Sequence, residues 1–187
     1  MQKVLVPLAD GFEEIEAITI IDILRRAGAD VVVAGLERDL VEGSHGLSVR
    51  ADALLSKLSA DDFDMIALPG GMPGAEGLMR SKKLLETIRR LSDSGKFTAA
   101  VCAAPVVLQE AGVTAGRTVT SHPSHAKFMA RAYHTGNRVE MDDKVITGQA
   151  AGSAMEFAFK LVEVLYGKEK VKEVNETVLA RIEDAGS

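Results

Sequence analysis

Phe97-Thr98-Ala99-Ala100-Val101-Cys102-Ala103-Ala104-Pro105 carries the chain from an apolar run, through its only cysteine, into a segment of helical character. A strand that enters a sharp turn and then a helix lifts the turn residue's side chain above the sheet edge. It also aims the free N–H groups of the first helical turn at that side chain. Thiolate is the nucleophilic form of cysteine, and a helix N-terminus is one environment that stabilises it. The competing reading makes Cys102 a small buried hydrophobe, the usual fate of a free cysteine. Composition favours the second reading, so the decision passes to position and neighbours.

Outward from this run, short β-rich stretches alternate with longer helical patterns, the signature of an α/β fold with a mainly parallel sheet. Upstream, Lys3 to Leu8 reads as the first strand, Glu13 to Arg26 as a helix closed by Gly28, and Val31 to Ala34 as the second strand. Leu40 to Arg50, with Gly43 and Gly46, reads as a hairpin or bulged excursion. Asp64 to Leu68 is a buried strand stopped by Pro69-Gly70-Gly71, and a helix follows from about Ala75 to Asp93. The strand Thr98 to Val101 leads into Cys102 and a helix that ends before Gly112. Downstream, Thr118 to Ser121 is a short strand, and Arg138 to Thr147 is a hairpin turning at Asp142-Asp143. Ala154 to Tyr166 and Val171 to Ile182 are closing helices. There is no repeat, low-complexity segment or linker, so residues 1–187 are expected to form one domain.

Hydrophobic residues at 47% and charged residues at 26% describe an ordinary globular protein. A net charge of -5 without a basic cluster argues against nucleic acid as a partner, because phosphate neutralisation requires a basic surface. One cysteine cannot form an internal disulfide. The first ten residues lack the apolar core of a signal peptide, and no apolar run approaches membrane-spanning length. A cytoplasmic protein without membrane partners is the expectation.

In open parallel sheets, ligands bind beyond the carboxyl ends of the strands. Asp10 to Glu16, Pro69 to Gly74, Cys102 to Pro105 and Ser121 to His125 are placed at such ends. They supply acids, glycines, a thiol and histidines. That is the set a thiol enzyme acting on carbonyl compounds requires. Among the acids, helical spacing puts Glu16 on a face with Ile20, Ile23 and Ala27, and Glu13 on a face with Ala17, Ile20 and Leu24. Glu14 aligns with Ile18, Ile21 and Arg25 and reads as peripheral. Burial disfavours the charged form of an acid, so a carboxyl on the apolar stripe keeps its proton and can donate to a thiolate. Spacing leaves Glu13 and Glu16 tied.

The glycines of Leu68-Pro69-Gly70-Gly71-Met72-Pro73-Gly74 are either turn punctuation or a close backbone approach to substrate. In the second case an N–H at Gly71 or Met72, with that of Ala103, would face an oxyanion. No Gly-Lys-Ser/Thr ending follows, which argues against a phosphate loop. His122 and His125 lie three apart, a spacing that suggests a metal site, but no third ligand stands out. One of them as acid–base partner of Cys102 is the more economical reading. His45 and His134 have no supporting context.

With these residues assembled, the chain resembles the ThiJ/PfpI superfamily, specifically its DJ-one branch. Leu8-Ala9-Asp10-Gly11-Phe12-Glu13-Glu14-Ile15-Glu16, Leu68-Pro69-Gly70-Gly71, Ala100-Val101-Cys102-Ala103-Ala104-Pro105 and Thr120-Ser121-His122-Pro123 carry the likeness. Smaller echoes are Arg25-Arg26-Ala27-Gly28, Val33-Ala34-Gly35-Leu36 and Glu156-Phe157-Ala158. The resemblance implies a flavodoxin-like three-layer sandwich with Cys102 at a nucleophile elbow. The family glutamate that hydrogen-bonds the reactive thiol matches Glu16. The family histidine matches His122, and Gly71 and Ala103 match the backbone donors. A homodimer is implied, and no cofactor or metal.

Two departures stand out. Peptidase-like members carry histidine directly after the cysteine, where this chain has Ala103, which weakens a peptidase reading. Members of the human type place a partner-subunit arginine near the cysteine, and the match here is His45. The branch is credited with converting methylglyoxal or glyoxal to hydroxy acids without glutathione, and with removing such adducts from proteins. A glyoxalase or deglycase acting on a small aldehyde is thus expected. The alternative is an oxidative-stress sensor or chaperone that works through oxidation of Cys102, since an exposed low-pKa thiol is also readily oxidised.

Overall fold

The computed structural model describes residues 1–181 of the chain. In chain order the first half comprises β1 (Lys3–Leu8), α1 (Glu14–Arg26), β2 (Asp30–Gly35), β3 (Leu40–Glu42), β4 (Ser48–Arg50), β5 (Ala53–Leu54), β6 (Met65–Leu68), α2 (Gly74–Arg80) and α3 (Lys82–Asp93). It continues through β7 (Phe97–Val101), α4 (Pro105–Glu110), β8 (Thr118–Val119), β9 (Tyr133–His134), β10 (Val139–Asp142), β11 (Val145–Gly148), α5 (Ala154–Tyr166) and α6 (Lys168–Val178).

Seven of these strands form one sheet in the order β10-β11-β7-β6-β1-β2-β5. All pairings in it are parallel except β10 with β11. Parallel strands need crossovers, and the helices that supply them cover both faces. Alternation along β1 divides the core: Val4, Val6 and Leu8 face α1 and α5 with Ile20, Leu24, Phe157 and Leu161. Leu5 faces the other way, into the layer of α2, α3 and α4 with Ile66, Ile88, Leu91 and Val107. Because both faces are covered, strands such as Met65-Ile66-Ala67-Leu68 are apolar throughout, buried at every position. The result is the expected flavodoxin-like α/β sandwich, with the carboxyl ends of β1, β6 and β7 side by side.

Several local expectations are corrected. The helix expected from Ala75 to Asp93 is two helices, because Ser81 adopts extended backbone (ψ 101°) and its hydroxyl accepts the Leu84 N–H at 3.2 Å. Serine competes with the helix for backbone donors, so an apolar period can run on while the helix restarts. The strand expected from Thr118 to Ser121 stops at Val119 and pairs with β9 in a separate two-stranded ribbon. The hairpin near 142 turns at Asp143-Lys144, with Asp142 paired to Val145 and Asp143 in the left-handed region. The last helix starts at Lys168 and ends before a left-handed Leu179; the expected end at Ile182 lies outside the described residues. No helix among the described residues is long and apolar enough to cross a membrane.

Candidate active site

The strand β7 ends at Val101, and Cys102 directly after it takes up φ 64°. A non-glycine residue held left-handed is costly, by about 1–3 kcal/mol, and persists only where its surroundings fix it. Here they do: the Cys102 N–H donates to Gly148 C=O at 3.0 Å, and its C=O accepts the His122 N–H at 2.8 Å. The side chain is half-buried, with the N–H groups of Ala103 and Gly71 directed at the sulfur.

Glu16 completes the group. It lies in the first turn of α1 and is fully buried, so the tie between Glu13 and Glu16 is resolved by packing. Glu13 is the N-cap, its Oε2 accepting the Glu16 N–H at 2.9 Å, while its own N–H donates to Gly70 C=O at 3.0 Å. Glu16 Oε2 accepts the Gly70 N–H at 2.7 Å, and the carboxyl interacts with the Cys102 thiol. Its Oε1 is left without a well-aligned donor, and a proton there would turn an orphaned acceptor into a donor.

Two glycines make this approach feasible. A Cβ at Gly70 would lie 2.9 Å from each of Cys102 Cβ, Glu16 Oε2 and Ala103 N. Gly71 has φ +92°, and a Cβ there would come within 2.4 Å of Glu13 N. Gly70 is the residue sequence reasoning left out. Its signal was present in the Gly70-Gly71 pair after a buried strand, but spacing cannot tell which glycine is squeezed and which one donates.

Burial pushes the Glu16 carboxyl up to about 7, although hydrogen bonds from Cys102 and Gly70 pull it down. Burial pushes the Cys102 thiol up to about 12, joined by the charge and hydrogen bonding of Glu16 and opposed by the Ala103 and Gly71 N–H groups. The turn's N–H groups favour the thiolate, as the strand–turn–helix order leads one to expect, and burial and Glu16 oppose them. Between those two values the pair holds one proton, as thiol with carboxylate or thiolate with carboxylic acid.

His122 comes to the site by main chain rather than by its ring. Its segment does not end a strand of the main sheet; it follows β8, held by the Thr120 N–H donating to Thr147 Oγ1 at 2.8 Å. The His122 ring pairs through Nδ1 with Ser124 Oγ at 2.7 Å. His125 Nδ1 approaches the same hydroxyl at 3.0 Å, and His134 Nε2 pairs with Ser121 Oγ at 2.9 Å.

Glu14 overturns the expectation that it is peripheral. It is buried against the loop between β3 and β4, where Oε1 accepts the N–H groups of His45 at 2.6 Å and Leu47 at 3.4 Å. Its Oε2 lies 3.2 Å from Ser44 Oγ and 3.0 Å from His45 Nδ1. Glu13, Glu14 and His45 bring ligand atoms within 4.8 Å of one another, the group among the described residues that could hold a cation. The oxygens of Glu14 are already engaged by the loop, however, so this cluster works as a clamp. His45, where the resemblance had matched an arginine, is exposed at that clamp.

A buried carboxyl against a thiol at a strand-end elbow, flanked by backbone donors, defines a cysteine site of the flavodoxin-like α/β class. The chain belongs to the DJ-1/PfpI family, whose model matches residues 2–164. It is 42% identical over 183 residues to Protein DJ-1 homolog B of Arabidopsis thaliana, covering 96% of this chain and 42% of that protein. The chain thus spans less than half the length of the Arabidopsis homologues A and B that it matches. It is 39% identical to Protein dj-1beta of Drosophila melanogaster, covering 95% of this chain and 97% of that protein. A Caenorhabditis elegans relative, 35% identical over 89% of each chain, is named glutathione-independent glyoxalase DJR-1.2. Among solved structures, Drosophila DJ-1beta superposes with a TM-score of 0.94 at 38% identity, covering 97% of this chain and 99% of that one. Oxidised Toxoplasma gondii DJ-1 superposes with a TM-score of 0.92 at 41% identity, covering 97% and 100%.

Proposed function

We propose that the protein is a cysteine-dependent, glutathione-independent glyoxalase or deglycase, converting methylglyoxal or glyoxal, free or as protein adducts, to hydroxy acids. The observation that carries this reading is the Glu16 carboxyl against the Cys102 thiol, with the Gly71 and Ala103 N–H groups converging on the sulfur. A carboxyl at about 7 is matched to proton transfer near neutrality. Glu16 takes the thiol proton as sulfur adds to the aldehyde carbon, forming the C–S bond of a hemithioacetal. The Gly71 and Ala103 N–H groups face the resulting oxyanion. Glu16 returns the thiol proton to that oxyanion. With His122 as a secondary carrier, it then moves the C–H proton of the former aldehyde carbon to the neighbouring carbon while the hydroxyl proton passes to the neighbouring oxygen, leaving a thioester. Water cleaves that thioester, releasing lactate or glycolate and restoring the thiol. The relative named a glutathione-independent glyoxalase supports the same chemistry.

The proposal extends to a cytoplasmic location and to a homodimer, the latter supported by Ile15 and Ile18 on α1 and by Leu47, whose N–H donates to Glu14; they are 59%, 45% and 63% exposed. Steady-state lactate formation from methylglyoxal by wild type, Cys102→Ser and Glu16→Gln tests the catalytic reading. Loss in both variants is expected, and no lactate above a no-enzyme control would sink it.

A second reading, oxidation sensing at Cys102, is favoured by one observation: a 41% identical relative is described in an oxidised state. Protonated Glu16 would hydrogen-bond a sulfinate on Cys102. Mass spectrometry after mild peroxide decides it, since a sensor must acquire a stable addition of two oxygens at Cys102.

A further inference from the structure

A cavity of about 340 Å³ is lined from α2, from α4, which starts at Pro105 just after the cysteine elbow, and from the turn after His122. Met72, Met79, Val106 and Phe128 supply its apolar lining. Several of its lining residues are chain neighbours of groups around the sulfur. Met72 follows Gly71, the N–H of which faces the thiol, and Val106 stands one turn beyond Cys102, with its N–H on Ala103 C=O at 3.4 Å. His125 reaches the same place through a relay of main-chain bonds, its N–H on His122 C=O and the His122 N–H on Cys102 C=O, both 2.8 Å. Met72 is 45% and Phe128 53% exposed, so large apolar side chains line an open recess rather than a filled core.

We infer that this cavity is a specificity subsite for the substituent carried by the carbonyl substrate, and that it selects neutral aryl or extended alkyl groups over a methyl group. The inference rests on Cys102 as the reacting group of the proposed function. Its size supports the choice, because an apolar cavity of about 150 Å³ suffices to bind benzene. The charged side chains lining the cavity are Glu76 and Glu110, with Glu76 paired to Arg80 at 3.2 Å. A substituent bearing a carboxylate is therefore repelled, while a neutral ring finds methionine, valine and phenylalanine faces. Phenylglyoxal can offer the cavity a ring, and methylglyoxal only a methyl group.

The experiment reads the cavity independently of turnover. Full-length wild type, Phe128→Ala, Met72→Ala and Met141→Ala are alkylated at Cys102 with phenacyl bromide or bromoacetone, and rates are followed by mass spectrometry. Each rate is divided by that of the same reagent with a small free thiol. Wild type is expected to favour the phenacyl reagent at least about fivefold. Phe128→Ala and Met72→Ala lose most of that preference. Met141→Ala, an exposed apolar residue on edge strand β10, keeps it. Equal normalised rates in wild type, or a preference that survives both cavity substitutions, overturn the inference. A changed oligomeric state in Phe128→Ala without a changed preference also overturns it, by assigning the recess to a second copy of the chain. Lactate and mandelate formation from methylglyoxal and phenylglyoxal is measured in parallel. No turnover of either aldehyde with the labelling preference intact refutes the glyoxalase reading and upholds the subsite. Turnover of both without a labelling preference does the reverse.

Discussion

The Glu16 carboxyl and the Cys102 thiol meet across Gly70, whose Cα faces Cys102 Cβ and Glu16 Oε2 so closely that a methyl group would sit 2.9 Å from each. Glycine here is a spacing requirement. Neither neighbour can retreat: Glu16 is fixed in the first turn of α1, and Cys102 is pinned by bonds to Gly148 and His122.

Gly70→Ala is therefore expected to separate the pair. With the carboxylate that raises the thiol moved away, alkylation of Cys102 by iodoacetamide should quicken about tenfold, and overpacking should cost about 1–3 kcal/mol in a thermal melt. Alkylation at the wild-type rate in a folded variant would show that the close approach does not matter.

Glu16 gives stability a definite pH dependence. Its folded-state value is raised from 4.5 to about 7, so the folded protein retains a proton that the unfolded chain has already released. Stability from this group is full below 4.5, declines as pH rises to about 7, and is level above it. At about 1.4 kcal/mol per pH unit the decline approaches about 3 kcal/mol. Glu16→Gln removes it, so the difference in melting temperature between wild type and variant should change across that window. A constant difference refutes the assignment.

Glu16 and His122 are expected to weigh unequally in turnover. Loss of a proton carrier in contact with the thiol costs about 10²-fold or more. His122→Asn should cost less than about tenfold by that scale, since the ring faces Ser124 rather than the sulfur. Comparable losses of kcat in Glu16→Gln and His122→Asn would contradict this ranking.

The Glu14 clamp acts in the opposite pH direction. Burial alone would raise this carboxyl, but hydrogen bonds from the His45 ring, the His45 N–H and the Leu47 N–H prevail and bring it to about 2. Its stabilisation is present above 4.5 and is lost as pH falls toward about 2. Glu14→Gln should therefore lower the melting temperature at neutral pH and converge with wild type in acid. Faster hydrogen exchange at His45 and Leu47 should accompany the change, and an unaltered exchange pattern would argue against a clamp.

Ser81→Ala removes the cap that restarts the helix after α2. A loss of about 1 kcal/mol is expected, seen as a drop in melting temperature of about 2–4 °C. A variant as stable as wild type would mean the break is held by packing instead.

The sequence by itself determined the α/β alternation, the parallel sheet and the placement of Cys102 at the end of β7, because these follow from apolar runs, their lengths and the residues that stop them. It also placed the Glu13 to Glu16 acids and the Gly70-Gly71 pair at strand ends, which the pairing of β1 with β6 then makes neighbours. Tertiary structure decided what those residues do to one another. Helical spacing left Glu13 and Glu16 tied and read Glu14 as peripheral, whereas packing buried Glu16 against the thiol and Glu14 against a distant loop. A period of 3.6 residues specifies a face of one helix, but not which other segment will cover it. The balance of the cysteine's proton was equally hidden. Backbone donors near Cys102 are legible in strand–turn–helix order, while the burial and carboxylate that oppose them exist only once residues 16, 70 and 102 meet.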